Sequence, residues 1–395
     1  MAPPTVLYLH QYFRTPAEGG ALRSWFIAEE LTRQGARVEM ITAHDGTVYE
    51  RRALSERLTA HYLPAPYANE MGPLARIRAF LAYGWAALRL AGKLARQADG
   101  PVRCFATSTP LTVGIVARLL RAWRGTEYVF EVRDLWPEAP IQLGYVPGKP
   151  LRWALRRLER WIYDGARRII ALSPGMATGV AATGTPTPVA LVPNMADVAA
   201  FRPAYAGTGG ADAPFVILYA GALGRANRVS FLLAAADATH RAGLAAVRFV
   251  VAGAGADAEA LRADAARRGL TNVEFVGSLD RAGIQRWRAA TAASLTCFDT
   301  VPVLDTTSPN KFFEGLAAGA LSITTTRGWL RELVEDAACG FGYDPLRPAE
   351  FVEKLRPFVQ DRARLHAAQD NARRLAEAAF GRERLAAEAA RVVLA

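Results

Sequence analysis

Along the first half of the chain, short apolar runs rich in β-branched residues alternate with longer amphipathic stretches. Residues 5–9, 37–41, 103–106, 128–131, 168–172 and 189–192 read as buried strands, and 22–34, 111–123 and 151–164 as helices between them. Such alternation predicts parallel βαβ units. The pattern then restarts, with 215–220, 248–252, 273–276, 293–297 and 321–324 as a second strand set. Between the sets, 201–214 has a linker composition, Pro203 and Pro214 bracketing a mixture of glycine and alanine. The tail, 362–395, is helical by pattern. The expected architecture is α/β, two doubly wound parallel-sheet domains facing across a cleft at the carboxyl ends of their strands, where such sheets bind ligands. Residues 1–202 form the first domain, 203–214 the linker and 215–375 the second domain. A C-terminal helix, 376–395, is expected to pack back on the first domain.

Composition changes this picture in two respects. With 395 residues the chain exceeds one ordinary core, and 51% hydrophobic against 22% charged residues is a globular balance. Cys104, Cys297 and Cys339 are odd in number and far apart, without a CxxC or Cys/His cluster. That supports neither a disulfide framework nor a zinc site, and fits a reducing cytoplasm. The first residues lack the signal-peptide pattern, and no run reaches the roughly eighteen apolar residues of a spanning helix. A cytoplasmic protein is expected. The net charge of +11, mostly arginine, favours anionic partners: nucleotide diphosphates, anionic lipid surfaces or nucleic acid. High-GC coding, which enriches Arg and Ala, is the alternative source of that charge.

Two segments carry candidate phosphate chemistry. Gly19-Gly20 lies at the turn from the first strand to the helix beginning near Leu22. There backbone amides can approach an anion, and Arg23 lies one turn on. A plain tight turn is the other reading. Neither a GxGxxG fingerprint nor a P-loop is present; Gly253-Ala254-Gly255 lacks a third glycine, so nicotinamide chemistry and P-loop hydrolysis have little support. The second segment is Thr306-Thr307-Ser308-Pro309, read as a hydroxyl cap with Pro at the first helical position, followed by Asn310 and Lys311 in the first turn. The helix dipole disfavours a lysine there unless an anion is bound. Glu314 shares a face with Asn310 and can accept bonds from two ribose hydroxyls. The alternative is a capped core helix burying Phe312, Phe313 and Leu316.

These residues, in this order, resemble the GT-B-fold family-4 glycosyltransferases, in the bacterial polysaccharide branch containing N-acetyl-L-fucosamine transferases. The resemblance runs through LHQYF…GG…R, Glu131-Val132-Arg133-Asp134-Leu135-Trp136-Pro137-Glu138, Leu172-Ser173-Pro174-Gly175-Met176 and Val192-Pro193-Asn194-Met195 with Phe201-Arg202-Pro203. It continues through Tyr219-Ala220-Gly221, Phe275-Val276-Gly277, SPNKFFEGLAAG and Arg327-Gly328-Trp329. It implies two Rossmann-like domains, a nucleotide-sugar donor (UDP-linked) held by the second, retention of anomeric configuration, and no bound metal or other cofactor. The family places two glutamates eight residues apart; Glu314 matches the second, whereas Thr306 stands where the first would be, with Asp305 beside it. The Gly221–Asn227 loop lacks, at the usual spacing, the Arg and Lys that many members carry after the first strand of the second domain. Arg225 and Lys311 are the expected substitutes at the diphosphate, with Ser308 and Asn310 beside them. The backbone of Val276 and Gly277 is expected at the nucleobase.

Glu131-Val132-Arg133-Asp134 ends a first-domain strand. A carboxylate there can orient or deprotonate an acceptor hydroxyl. Arg133 occupies a position where many members have His, so Asp134 is the expected acceptor residue with Glu131 behind it; an internal charge cluster is the other reading. His10 is expected to be structural. In 76–96, Arg78, Arg89, Lys93 and Arg96 share one side of a helix. In 151–162, Arg152, Arg156, Arg157 and Arg160 oppose Leu151, Leu155, Leu158 and Ile162, with Trp153 among the basic residues. Such helices suit an anionic membrane surface, or are ordinary solvated faces. The expectation is a sugar transferase acting on a polyprenyl-diphosphate-linked saccharide at the inner face of the membrane. Its rivals are a soluble-acceptor transferase, a GT-B-fold UDP-sugar epimerase and a non-catalytic nucleotide-sugar or nucleic-acid binding module. Nucleic acid ranks last, since no zinc-finger or RNA-binding signature is present.

Overall fold

The computed structural model describes residues 2–65, 73–203 and 214–395, with side chains in the helix Pro73–Gln97 from Arg78 onward. Apart from its two ends, the expected linker 203–214 lies outside the described residues. The chain divides into two compact units, Met1–Pro193 with Glu383–Ala395, and Asn194–Arg382.

The first unit contains β1 (Thr5–Leu9), β2 (Arg37–His44), β3 (Glu50–Ala53), β4 (Leu58–Pro64), β5 (Val102–Thr107), β6 (Tyr128–Val132), β7 (Arg168–Ala171) and β8 (Val189–Leu191). They form one sheet in the order β3-β4-β2-β1-β5-β6-β7-β8, parallel except for β3. Apolar runs such as Val6–Leu9 in β1 are wholly buried because helices cover both faces of a parallel sheet. Strands β3 and β4 escaped the pattern reading. Glu-Arg-Arg-Ala in β3 is polar and largely exposed, so only its pairing with β4 makes it a strand, and β4 interrupts its apolar residues with Thr59 and His61.

The second unit holds β9 (Phe215–Ala220), β10 (Val247–Ala252), β11 (Val273–Gly277), β12 (Ala293–Thr296), β13 (Leu321–Thr324) and β14 (Gly340–Gly342). Their order, β11-β10-β9-β12-β13-β14, is that of a Rossmann half-pair, with the direction of winding reversing between β9 and β12. The two doubly wound α/β sheets are therefore present as expected. The strand β14 was not foreseen, because two of its three residues are glycine. Gly340 packs so tightly on β13 that an added Cβ would lie 1.7 Å from the Ser322 carbonyl oxygen.

The tail corrects one expectation. It is two helices, Arg362–Ala379 and Arg382–Leu394, separated at Phe380-Gly381. Ala196 accepts from the Arg382 amide and donates to the Phe380 carbonyl at 2.7 Å, which diverts those backbone groups from a continuous helix.

Candidate active site

The direction of winding reverses between β9 and β12, and open α/β sheets bind ligands at the carboxyl ends of their strands at such a point. The helix Asn310–Ala317 begins after the β12 loop and brings Lys311 to that point. Its start differs from the expectation. Pro309 is the N-cap, in extended conformation, and not the first helical residue; no side chain caps the helix. The Ser308 hydroxyl is turned instead to the Asn194 amide at 3.3 Å, and the Asn194 side chain donates to the Ser308 carbonyl. Thr306 ends a 3-10 turn, its hydroxyl donating to the Val303 carbonyl at 2.7 Å. Neighbouring Asp305 accepts from the Arg327 amide at 2.8 Å and pairs with its guanidinium.

Lys311 is buried, 9% exposed. Its ammonium donates to Asn227 Oδ1 at 2.7 Å and to the Tyr219 hydroxyl at 3.0 Å. The rings of Tyr219 and Phe298 lie 4.3 and 5.0 Å from it. Among the described residues no carboxylate comes within 4 Å of this nitrogen. Burial lowers the ammonium to about 8, partly opposed by the Cys297 thiol. Gly221 leaves room here: a Cβ would lie 3.0 Å from Lys311 Nζ and crowd the ammonium. The glycines ending three adjacent strands meet at the same edge. Gly253 donates to the Gly277 carbonyl at 2.8 Å, and a Cβ on Gly253 would lie 1.9 Å from the Gly221 oxygen. Gly277 has φ 74°, which glycine adopts without strain.

Glu314 lies one turn further along the helix, its side chain 25% exposed. Burial raises its carboxyl, and the Arg288 guanidinium 3.5 Å away lowers it. Arg288 is itself buried and ties three groups together: it donates to Ser294 Oγ at 2.7 Å and the Lys311 carbonyl at 3.0 Å, and faces Glu314. The structure thus gathers Gly221, Asn227, Lys311 and, through Arg288, Glu314, with Val276 and Gly277 at the next strand ends. Asn310 is half-buried at the helix start, and Arg225 is exposed in the 3-10 turn Arg225–Asn227. Tyr219 and Arg288 were missed: the first reads as a strand core position, the second as one arginine of an amphipathic helix.

In the first unit, Gly19 and Gly20 have φ 70° and 83°, two successive left-handed residues that only glycine adopts freely. Arg23 does not serve an anion there. It is 2% exposed, and its guanidinium donates to Glu131 at 2.9 Å, to the Val192 carbonyl at 2.9 Å and to the Pro193 carbonyl. Glu131 is fully buried and also accepts from Thr107 at 2.5 Å, so it is not presented to an acceptor. The partner of Glu131 is thus Arg23, not Arg133 of its own segment. Asp134 reaches solvent, and the protein packed around it raises its carboxyl to about 6, a rise that solvent at the exposed group opposes. His10 lies 3.3 Å from Arg133 and is held well below its ordinary range by burial and that guanidinium; it is a neutral, hydrogen-bonded histidine. Among the described residues no group of three or more His, Cys, Asp or Glu is placed to hold a metal ion.

Residues 18–195 match the family model described as a glycosyl transferase 4-like domain, and residues 214–361 the one described as glycosyl transferases group 1. No curated protein sequence matches the chain. Sucrose-phosphate synthase from Thermosynechococcus elongatus is a similar solved structure, with 17% identity and a TM-score of 0.79 over 99% of this chain and 98% of that one. HepE from Anabaena, solved with UDP and glucose, has 18% identity and a TM-score of 0.73 over 99% of each chain. WaaG, described as a glycosyltransferase involved in lipopolysaccharide biosynthesis, has 16% identity and a TM-score of 0.66, covering 98% of this chain and 99% of that one. At these identities the likeness is one of GT-B fold.

Proposed function

We propose that the protein moves a sugar from a UDP-sugar to an acceptor hydroxyl, a reading supported by the match of residues 18–195 to the glycosyl transferase 4-like model and of 214–361 to the glycosyl transferases group 1 model. The observation that carries this reading is Lys311, a buried cation beside a helix N-terminus with no carboxylate within 4 Å among the described residues. HepE, of the same fold, has been solved with UDP and with UDP-glucose, which supports a uridine nucleotide.

In the proposed reaction the diphosphate lies at the start of the helix Asn310–Ala317, near Ser308 and Asn310. Its charge grows as the sugar leaves, and Lys311 and Arg225 offset that growth without a metal. Glu314 accepts the ribose hydroxyls, and the Val276-Gly277 backbone meets the base. Asp134 orients the acceptor hydroxyl. The anomeric configuration is retained and the sugar is an N-acetylated deoxy sugar, both on the motif resemblance alone. The acceptor is a polyprenyl-diphosphate-linked saccharide, a reading supported by WaaG, which serves lipopolysaccharide synthesis. The test is incubation with UDP-sugars and lipid extract: lipid-linked product and free UDP are expected. Turnover only with a soluble acceptor, or an epimer formed without acceptor, would contradict it.

Two further results are expected. Lys311 loses its proton as pH rises through about 8 in the free protein, and UDP favours the charged form. UDP affinity should hold up to about pH 8 and then fall, whereas Lys311→Ala should bind weakly at every pH. Stability moves the other way. The folded-state value lies below the ordinary 10.5, so the Lys311 contribution to stability rises between about pH 8 and 10.5, and its deprotonation does not itself unfold the protein. Titrations of UDP from about pH 7 to about pH 10 with a flat affinity would contradict this. Arg288 is a positioning residue for Glu314. Arg288→Met should reduce the preference for UDP over 2′-deoxy-UDP by about tenfold, the worth of a hydrogen bond to a charged group, measured by competition. An unchanged preference would limit Arg288 to a structural role.

A further inference from the structure

The positive charge is not spread over the molecule. Of the chain's 48 basic and 37 acidic residues, three helices of the first unit (Pro73–Gln97, Thr112–Arg124 and Lys149–Gly165) hold 13 and 2, leaving 35 of each sign elsewhere. These helices therefore account for the whole net charge of +11. A coding bias would raise arginine everywhere, and it does not explain this localisation. One of the two acids, Glu159, is buried, and burial raises its carboxyl to about 8, which leaves it mostly uncharged at neutral pH.

The three helices form a contiguous row. Trp123 lies on Gly92 of the first helix, where a Cβ would meet the ring at 2.1 Å, and Gly114 admits Ile162 of the third, where a Cβ would meet Ile162 Cγ2 at 2.6 Å. The row exposes four tryptophans: Trp85 at 64%, Trp123 at 52%, Trp153 at 67% and Trp161 at 39%. Each has a guanidinium over its ring, from Arg89, Arg124, Arg157 and Arg118 respectively, at 3.9–5.9 Å. On the first helix Arg78, Leu81, Trp85, Arg89, Lys93 and Arg96 are all exposed and recur at steps of three and four, one stripe along it. On the third, the expected core stripe is not sealed: Ile162 is buried, but Leu151 is 48% exposed. Along the same helix lies a groove of about 510 Å³ lined by Trp153, Arg156, Arg157 and Arg160 together with Glu138 and the buried Glu159.

We propose that this row of helices docks on an anionic lipid bilayer, with the tryptophans and exposed leucines at the interface and the arginines on lipid phosphates. Interfacial tryptophan, flanking arginine and a near absence of carboxylates are the chemistry of such surfaces. Exposed Leu81 and Leu151 gain nothing from a nucleic-acid backbone, and the tryptophan rings are already covered by arginine, which disfavours base stacking. Among the described residues no helix is long and apolar enough to cross the bilayer. The inference deepens the lipid-linked reading of the acceptor, but its readout needs no donor.

The full-length protein should co-sediment with phosphatidylglycerol-containing vesicles and not with pure phosphatidylcholine, with a blue shift of tryptophan emission and weakening in high salt. Arg89→Glu/Arg157→Glu/Arg160→Glu should bind the anionic vesicles on the order of 100-fold more weakly or worse, with UDP affinity unchanged. Failure to bind anionic vesicles, equal binding by the triple variant, or binding of duplex DNA without vesicle binding would overturn the docking face. Intact UDP binding in any of these cases leaves the proposed reaction standing.

Discussion

Replacing Lys311 with alanine is expected to lower kcat/KM for sugar transfer by about 10²–10³-fold, the usual loss when a preorganised group facing developing charge is removed. The geometry gives the reason. Asn227 and Tyr219 fix the ammonium from two sides, and Phe298 and Tyr219 shield it from water. An ion held in place and partly desolvated acts on a departing diphosphate more strongly than a flexible surface lysine does. Most of the loss should appear in kcat, because the diphosphate carries more charge in the transition state than in the bound donor. Initial rates of UDP release over a range of donor concentrations measure this. A loss below tenfold would show that the leaving group is stabilised elsewhere.

Arg23→Met is expected to destabilise the protein by about 3–5 kcal/mol, the penalty for leaving a buried carboxylate without its partner. Thermal melts should report a fall of roughly 10 °C. Glu131 is fully buried and Arg23 nearly so; the arginine also satisfies the carbonyls of Val192 and Pro193, tying β6 to the chain just beyond β8. Combining Arg23→Met with Glu131→Gln should recover part of the loss, since the two changes act on one interaction. Asp134→Asn offers the contrast, with slower transfer at an unchanged melting temperature. If Glu131→Gln abolished transfer without moving the melting temperature, Glu131 would belong to the acceptor chemistry after all.

Local chemistry proved readable where it is set by neighbours in the chain. The apolar runs of β1, β9 and β13 match the observed strands residue for residue, because buried parallel strands have no polar face to obscure them. The lysine at a helix start was legible too, as a clash with the helix dipole. Features made by distant pairing were not. Arg23 and Glu131 are 108 residues apart, and nothing near either one shows that they neutralise each other. Ser308 looked like a cap because its partner, Asn194, lies 114 residues earlier. Polar β3 becomes a strand only through β4, and Arg288 acquires its role only when Ser294, Lys311 and Glu314 surround it.

Calorimetric titration of UDP into the wild-type protein, Lys311→Ala and Glu314→Ala at neutral pH tests the central claim most directly. The account predicts saturable binding to the wild type and an affinity lowered about ten- to a hundredfold in each variant, as expected for losing a charge-assisted bond. No binding to the wild type, or equal affinity in all three proteins, would contradict it.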